Sequence, residues 1–409
     1  MKRILFLVLF NLVLCTLTQA CTTAIVSGKC TVDGRPLLLK HRDTDNLQNK
    51  LMFFHDGKYE YIGLVDSPDT FGTQIWAGYN SAGFAIMNSA DYNLNTGDTA
   101  TIKDREGFLM KQALQTCATV DEFEKLLQSL PKPLGVEANF GVIDAQGGTA
   151  YFETGNYAYT KFDANNPATA PFGYLIRTNY AFTGKRDDDF GLIRYRTADE
   201  LFYTAANTKS LSFDFIIKQV SRCLKHSLTK VDLAQNLPEQ SEPAQFVCLQ
   251  DFIPRFISSA SVIVHGVKPG ESPSLTTMWT ILGFPLCSVA IPSWIIGAEQ
   301  LSTMLTAGAS GNAPLCTMAL NLKNRCFPNQ RESGRSYLNL AVLMNKNNDG
   351  ILQKLMPIED EIIQETNKRM DRWRKSGMKT GDVHDFYRWV DSTVRGEYLK
   401  TFGLEIFPK

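Results

Sequence analysis

Between residues 22 and 88 the sequence repeats one pattern: a short apolar or aromatic run, a turn, and a second such run. Residues 22–42 fold back about Asp33-Gly34. Residues 51–64, with Phe53, Phe54, Tyr59 and Tyr61, do so about Asp56-Gly57. Residues 74–88 do so about Asn80-Ser81-Ala82-Gly83. Asp-Gly and Asn-x-x-Gly turns between strand-like runs make hairpins, so the chain starts as antiparallel sheet. Helical spacing follows over Asp104–Ala118, and again from Thr119-Val120-Asp121 to a stop at Pro131. A hairpin over residues 140–153 and a strand over Tyr174–Asn179 come next. Helices are expected over Arg194–Ala205 and Phe213–Leu224, strands over Ser258–Val264 and within 272–298, and helices over Ile358–Lys375 and Asp382–Leu399. Sheet, helices, sheet, helices is the order of an α+β fold in which two packed antiparallel sheets lie between helical layers. No glycine-rich phosphate loop follows a strand and no βαβ series is visible, which disfavours a nucleotide-binding fold.

The strand that opens this pattern follows an apolar leader. Lys2 and Arg3 precede a run from Ile4 to Leu17, and Thr18-Gln19-Ala20 puts small residues at −3 and −1. Those are the three parts of a secretory signal peptide. We therefore expect residues 1–20 to be removed, an exported protein in the periplasm or outside the cell, and a single domain over 21–409. The charges balance, with 42 Lys+Arg against 42 Asp+Glu, so nothing favours nucleic acid or an anionic membrane. The uncharged run 272–298 is long enough to span a bilayer. Its prolines, glycines and hydroxyls instead predict buried strands and turns. Nine cysteines and five histidines show no ligand spacing, so neither metal nor cofactor is expected.

Cleavage after Ala20 would leave Cys21 at the N-terminus, with a thiol and a free α-amine on one residue. A cysteine thiol titrates near ~8.5 and an α-amine near ~7.7–8, so the neutral amine is able to take the thiol proton. Nucleophile and base then need no histidine. Such a site needs a cation near the sulfur, a group that orients the amine, and two donors for an oxyanion. Lys40-His41-Arg42-Asp43-Thr44-Asp45 ends the hairpin that Cys21 begins, so Arg42 (the cation) and Asp45 (the amine-orienting carboxylate) come within reach. A polar strand end with a surface ion pair is the competing reading of these two residues.

Cys-Thr-Thr-Ala after a leader, then R-D-T-D, G-Y-N-S-A-G-F-A-I-M-N, R-T-N and T-M-W-T, resembles the cysteine N-terminal-nucleophile (Ntn) hydrolases. The nearest groups are the C45 peptidases, which are penicillin acyltransferase-like, and the choloylglycine hydrolases with the penicillin V acylases. The resemblance implies the αββα four-layer fold and cleavage, or acyl transfer, at a linear amide bond of a small N-acyl amide. It implies Cys21 as nucleophile, Arg42 beside it, and Asp45 on the amine. It implies Asn88 as a main-chain oxyanion donor and Asn179 as a side-chain donor. It also implies a downstream arginine, Arg194 or Arg196. Related enzymes often form tetramers, so a homo-oligomer is one expectation. Position 43 is aspartate where bile-salt hydrolases usually carry asparagine. His265 reads as a strand-end residue, Lys185–Asp189 as a solvated loop, and Trp76, Trp279 and Trp294 as core. Two rival functions remain: an acyltransferase on the same scaffold, and a binding protein anchored through a lipidated Cys21. Thr18 at −3 fits a lipobox poorly.

Overall fold

The computed structural model describes residues 20–186 and 190–405. Residues 1–19 of the expected leader, the three acids 187–189 and residues 406–409 lie outside them.

The first half of the chain builds strands β1 (Thr22–Val26), β2 (Leu37–Asp43), β3 (Asn49–Phe54), β4 (Tyr61–Asp66), β5 (Ala77–Asn80), β6 (Ala85–Ala90), β7 (Ala138–Ile143), β8 (Thr149–Thr154), β9 (Tyr159–Asp163) and β10 (Tyr174–Arg177). Helices α1 (Glu106–Thr116) and α2 (Val120–Ser129) separate β6 from β7. Helix α3 (Leu192–Asn207) follows, and a short α4 (Phe213–Phe215) runs on as a π turn to Val220. Two minor ribbons pair β11 (Lys225–His226) with β12 (Val231–Asp232), and β13 (Phe246–Cys248) with β17 (Tyr337–Asn339). Strands β14 (Ser258–His265), β15 (Thr277–Leu282) and β16 (Ala290–Ser293) complete the sheets. Helices α5 (Pro314–Cys326), α6 (Leu340–Leu343), α7 (Ile351–Ser376) and α8 (Thr380–Phe402) complete the chain.

Strands β3 to β9 form a seven-stranded meander in chain order. The other sheet has the order β10-β1-β2-β14-β15-β16, so the chain leaves it after β2 and returns at β10. Every pairing is antiparallel. One apolar cluster joins Leu109, Met110, Phe123 and Leu127 of α1 and α2 to Phe84, Phe140 and Phe152, which covers the outer face of the meander. A second cluster runs between the sheets and out to α3, α5, α7 and α8. The layers are therefore helix, sheet, sheet, helix, as the order of elements predicts.

Because both of its faces are covered, the six-stranded sheet cannot show a clean polar alternation. All seven residues of β2, L-L-L-K-H-R-D, are buried. The turns are built as the dipeptides require. Gly34 and Gly83 sit at φ +73° and +78°, where a Cβ would be strained. Asn80 accepts from the Ala82 and Phe84 amides at 3.1 and 3.2 Å and pins the β5–β6 turn. Thr119 caps α2 by accepting from the Glu122 amide at 3.1 Å. The 272–298 run is buried as expected and supplies β15 and β16. Among the described residues no helix is long and apolar enough to cross a membrane.

Candidate active site

The site is assembled at the start of β1. In the β1–β2 register Thr22 faces His41 and Thr23 faces Lys40. One further step sets Cys21 level with Arg42. Side chains alternate along a strand. Thr22 points toward α3, where its Oγ1 accepts from Arg194 Nη1 at 2.9 Å. Thr23 points to the other sheet, where Tyr151 donates its hydroxyl to Thr23 Oγ1 at 2.8 Å. The same pleat sends Cys21 and Lys40 between the sheets with Thr23. Cys21 is buried and its thiol is free.

Arg194 ties three pieces of chain together. It donates from Nη1 to the Cys21 carbonyl at 2.5 Å and from Nη2 to Asn179 Oδ1 at 2.8 Å, besides the Thr22 bond. Burial pulls its pKa down to about 10, and the nearby Arg255 adds to that. Of the two arginines in L-I-R-Y-R, Arg194 enters the cluster and Arg196 is exposed. Asn179 is itself buried, and its Nδ2 donates to the Ala90 carbonyl at 2.8 Å.

Asn88 lies inside β6, paired with Phe140, and is not a turn residue. Lys40 crosses from the other sheet and donates to the Asn88 carbonyl at 2.7 Å and to Asn88 Oδ1 at 2.6 Å. Burial lowers the Lys40 pKa to about 8, and negative charge at Cys21 works against that fall. Lys40 is thus a cation that senses the thiol, a role the sequence reading gave to Arg42 alone. Two lysine or arginine residues spaced by two on one buried strand are the signal that could have found it. Arg42 projects to the meander, donates to Asn49 Oδ1 and to Asp66 Oδ1 (2.7 Å), and lies 4.8 Å over the Trp76 ring.

The carboxylate expectation needs correcting. Asp45 is exposed, in the bend after β2, and among the described residues it makes no hydrogen bond or ion pair. The reason is local: β2 stays paired with β14 only to Asp43, and Thr44 is the last residue bonded to that side, through the Ile257 carbonyl at 2.9 Å. Asp43 is the buried acid instead. It accepts from Ser258 Oγ at 2.6 Å and from Arg255 Nε at 2.9 Å, and Arg255 Nη2 reaches the Ala20 carbonyl at 3.1 Å. Asp43 and Arg255 therefore meet at the Ala20–Cys21 junction. His41, held by Ser258 at 3.0 Å and Ser261 at 2.8 Å, is pushed down to about 4 by burial and stays neutral.

Beside this cluster opens a cavity of about 560 Å³, lined among others by Asn88, Trp76, Tyr92 and Asp91. Trp76 is half-buried, packs against both apolar clusters and also forms a wall of the cavity, whereas Trp279 and Trp294 are fully buried. Burial raises the Tyr92 phenol above its ordinary pKa, and negative charge at Cys21 adds to the rise. Both Lys40 and the cavity wall are therefore within electrostatic reach of the thiol. His265 closes β14 and bonds to Asp33 at 2.9 Å. Among the described residues no grouping of three or more histidine, cysteine, aspartate or glutamate side chains is arranged to hold a metal ion.

Residues 31–212 match the sequence model of the family described as acyl-coenzyme A:6-aminopenicillanic acid acyl-transferase. Over that stretch the chain is similar to the penicillin acyltransferase family. The acyltransferase-like stretch contains Lys40, Arg42, Asn88, Asn179 and Arg194; Cys21 stands before it and Arg255 after it. No curated protein matches the chain. Among solved structures it is similar to a Caenorhabditis elegans N-acylethanolamine-hydrolyzing acid amidase ortholog, at 13% identity and TM-score 0.38 over 62% of this chain and 93% of that one. It is similar to a penicillin V acylase from Agrobacterium tumefaciens, at 14% identity and TM-score 0.38 over 69% and 87%. A variant of conjugated bile acid hydrolase from Clostridium perfringens matches at 12% identity and TM-score 0.39 over 64% and 89%.

Proposed function

We propose that this protein is an exported amide hydrolase or acyltransferase whose nucleophile is the Cys21 thiol, acting on small N-acyl amides through a thioester. The observation that carries the reading is the placement of Cys21. It is buried at the head of β1, bonded through Arg194 to Asn179, and flanked by the Lys40–Asn88 pair at the edge of a cavity. The acyltransferase-like match over 31–212 supports it.

In this mechanism, loss of residues 1–20 frees the Cys21 amine. Arg255 stands where the Ala20 carbonyl had been, and its fixed charge favours the neutral amine, which is the form that accepts a proton. The amine takes the thiol proton, and Lys40 stabilises the thiolate. The sulfur attacks the amide carbonyl. The Asn88 main-chain N–H and the Asn179 side-chain amide hold the oxyanion. The amine returns the proton to the leaving nitrogen, and water or a second amine resolves the thioester. Asp43, through Arg255, takes the amine-side position that Asp45 was expected to fill.

The test is acylation of the processed protein by an activated acyl ester, followed by intact mass. The wild type gains one acyl group at Cys21 and Cys21→Ala gains none. Equal labelling of Cys21→Ala would sink the proposal. The same spectrum separates a free Cys21 from one carrying diacylglycerol, which would establish the anchor reading. An added amine acceptor divides hydrolysis from transfer.

A further inference from the structure

The cavity that Asn88 lines is edged by five carboxylates, Asp91, Asp98, Asp104, Glu106 and Glu137, against one lysine, Lys103. Three of these acids have structural partners. Glu137 Oε1 accepts from the Leu94 and Asn95 amides, both at 2.9 Å, and fixes that loop. Glu106 Oε1 accepts from the Glu137 amide at 2.8 Å and fixes the start of α1. Asp98 bonds the Ala100 amide at 2.8 Å and Asn156 Nδ2. Asp91 is different. It is 1% exposed, it lines the cavity, and among the described residues neither of its carboxylate oxygens has a hydrogen-bond partner. Burial raises the Asp91 pKa well above the ordinary carboxylate range, Glu137 and Glu153 add to the rise, and the nearby Asn93 backbone amide works against it, so a cation brought against Asp91 would favour its ionised form.

A buried carboxyl group with two empty acceptor oxygens costs free energy that a fold has no reason to retain unless a donor arrives. Asp91 stands three residues after Asn88, directly beyond the end of β6, and lines the cavity, so that donor would belong to whatever fills it. An aromatic wall from Trp76 and Tyr92 also suits a cation. We propose that Asp91 is the specificity-determining residue of this cavity and takes an ammonium or guanidinium group of the substrate. The proposal rests on the Cys21 reading only for the word substrate; the cation site itself stands without it.

The experiment is therefore run first as binding. n-Butylguanidinium and its neutral near-isostere n-butylurea are titrated calorimetrically into the processed wild type, Asp91→Asn and Asp91→Leu, with melting curves to show each is folded. The expected result is a preference for the guanidinium of roughly 10- to 100-fold in the wild type, the range of a buried charge-assisted hydrogen bond, reduced to about threefold or less in both variants. No preference in the wild type, or one that survives both substitutions, overturns the proposal. The kinetic arm uses N-acyl amides with and without a terminal ammonium, placed on the acyl or on the amine side. Asp91→Asn should raise KM for the cationic member of one pair and leave the ratio of kcat values within about twofold. A Cys21→Ala protein that still hydrolyses these amides overturns the nucleophile, and the binding result is independent of that outcome.

Discussion

Replacing Arg194 by methionine tests the cluster most directly. The side chain is 1% exposed, and methionine is of similar length but donates nothing. The change strands three acceptors: the Cys21 carbonyl, Thr22 Oγ1 and Asn179 Oδ1. An unsatisfied buried acceptor costs about 1–3 kcal/mol, so the gross loss is about 3–9 kcal/mol. Against this, the variant no longer buries a guanidinium. The displacement of the Arg194 pKa from 12.5 to about 10 puts that relief on the order of 3 kcal/mol. The two leave a net destabilisation between about 0 and 6 kcal/mol, with about 3 kcal/mol as the central expectation, measured by urea unfolding monitored through tryptophan fluorescence. Acylation of Cys21 should slow by about 10²-fold or more, because Asn179 loses the bond that fixes its amide plane. Lysine at the same position should recover part of the stability and little of the rate, since one ammonium cannot reproduce the guanidinium fork. Arg194→Met with stability within about 1 kcal/mol of wild type and normal acylation would refute the reasoning.

Two pH predictions follow from the same neighbourhood. Lys40 keeps its charge below about pH 8, so support for a Cys21 thiolate is present below that value and goes as pH rises through it. Lys40→Met should slow acylation about 10- to 100-fold at pH 7 and flatten the fall above pH 8 in the pH–rate profile. Burial lifts Glu106 from 4.5 to about 7, with Asp104 and Glu137 adding to the rise. The folded state then binds the proton more tightly than the unfolded one. That contribution is full below about 4.5 and is lost as pH rises through about 7. Glu106→Gln keeps the acceptor for the Glu137 amide and should be more stable than wild type by on the order of 2–3 kcal/mol at pH 8, with a much smaller difference at pH 4. Equal thermal-melt differences at both values would exclude a titrating Glu106.

The parts of the fold written in local pattern were legible. The three opening hairpins, α1, α2, α3 and the buried 272–298 strands depend on turn residues and periodicity close in sequence. Helix α5 was missed although Leu315, Met318, Ala319, Leu322 and Cys326 keep helical spacing opposite exposed Thr317, Asn321, Asn324 and Arg325; the pattern is interrupted by Lys323, which is buried with Nζ 3.7 Å from the Phe256 ring centre. Cys21 and Arg194, which the structure brings together, were both named from the sequence, Arg194 alongside Arg196, because the apolar leader-like run, the strand and the motif order point to them. Asp45 misled because hairpin geometry alone does not say where a strand leaves its sheet; the β14 pairing decides that, and β14 lies more than two hundred residues away. Arg255 left no local trace for the same reason. Lys40 was visible as a charge inside an apolar run and went unread, since two-sided burial of β2 follows only once both sheets are in place.

The Arg255 contact with the Ala20 carbonyl also bears on timing. An external protease takes its target bond as extended, accessible chain. Here Ala20 is 6% exposed, its carbonyl is occupied by Arg255, and the next residue is anchored by Arg194. Once β1 is seated between β2 and β10, the bond before Cys21 is out of reach from outside. On the reading proposed above, in which residues 1–20 are removed, cutting by another protein would have to precede the closing of this sheet, and a chain that folded first would be committed to keeping those residues or to cutting the bond itself.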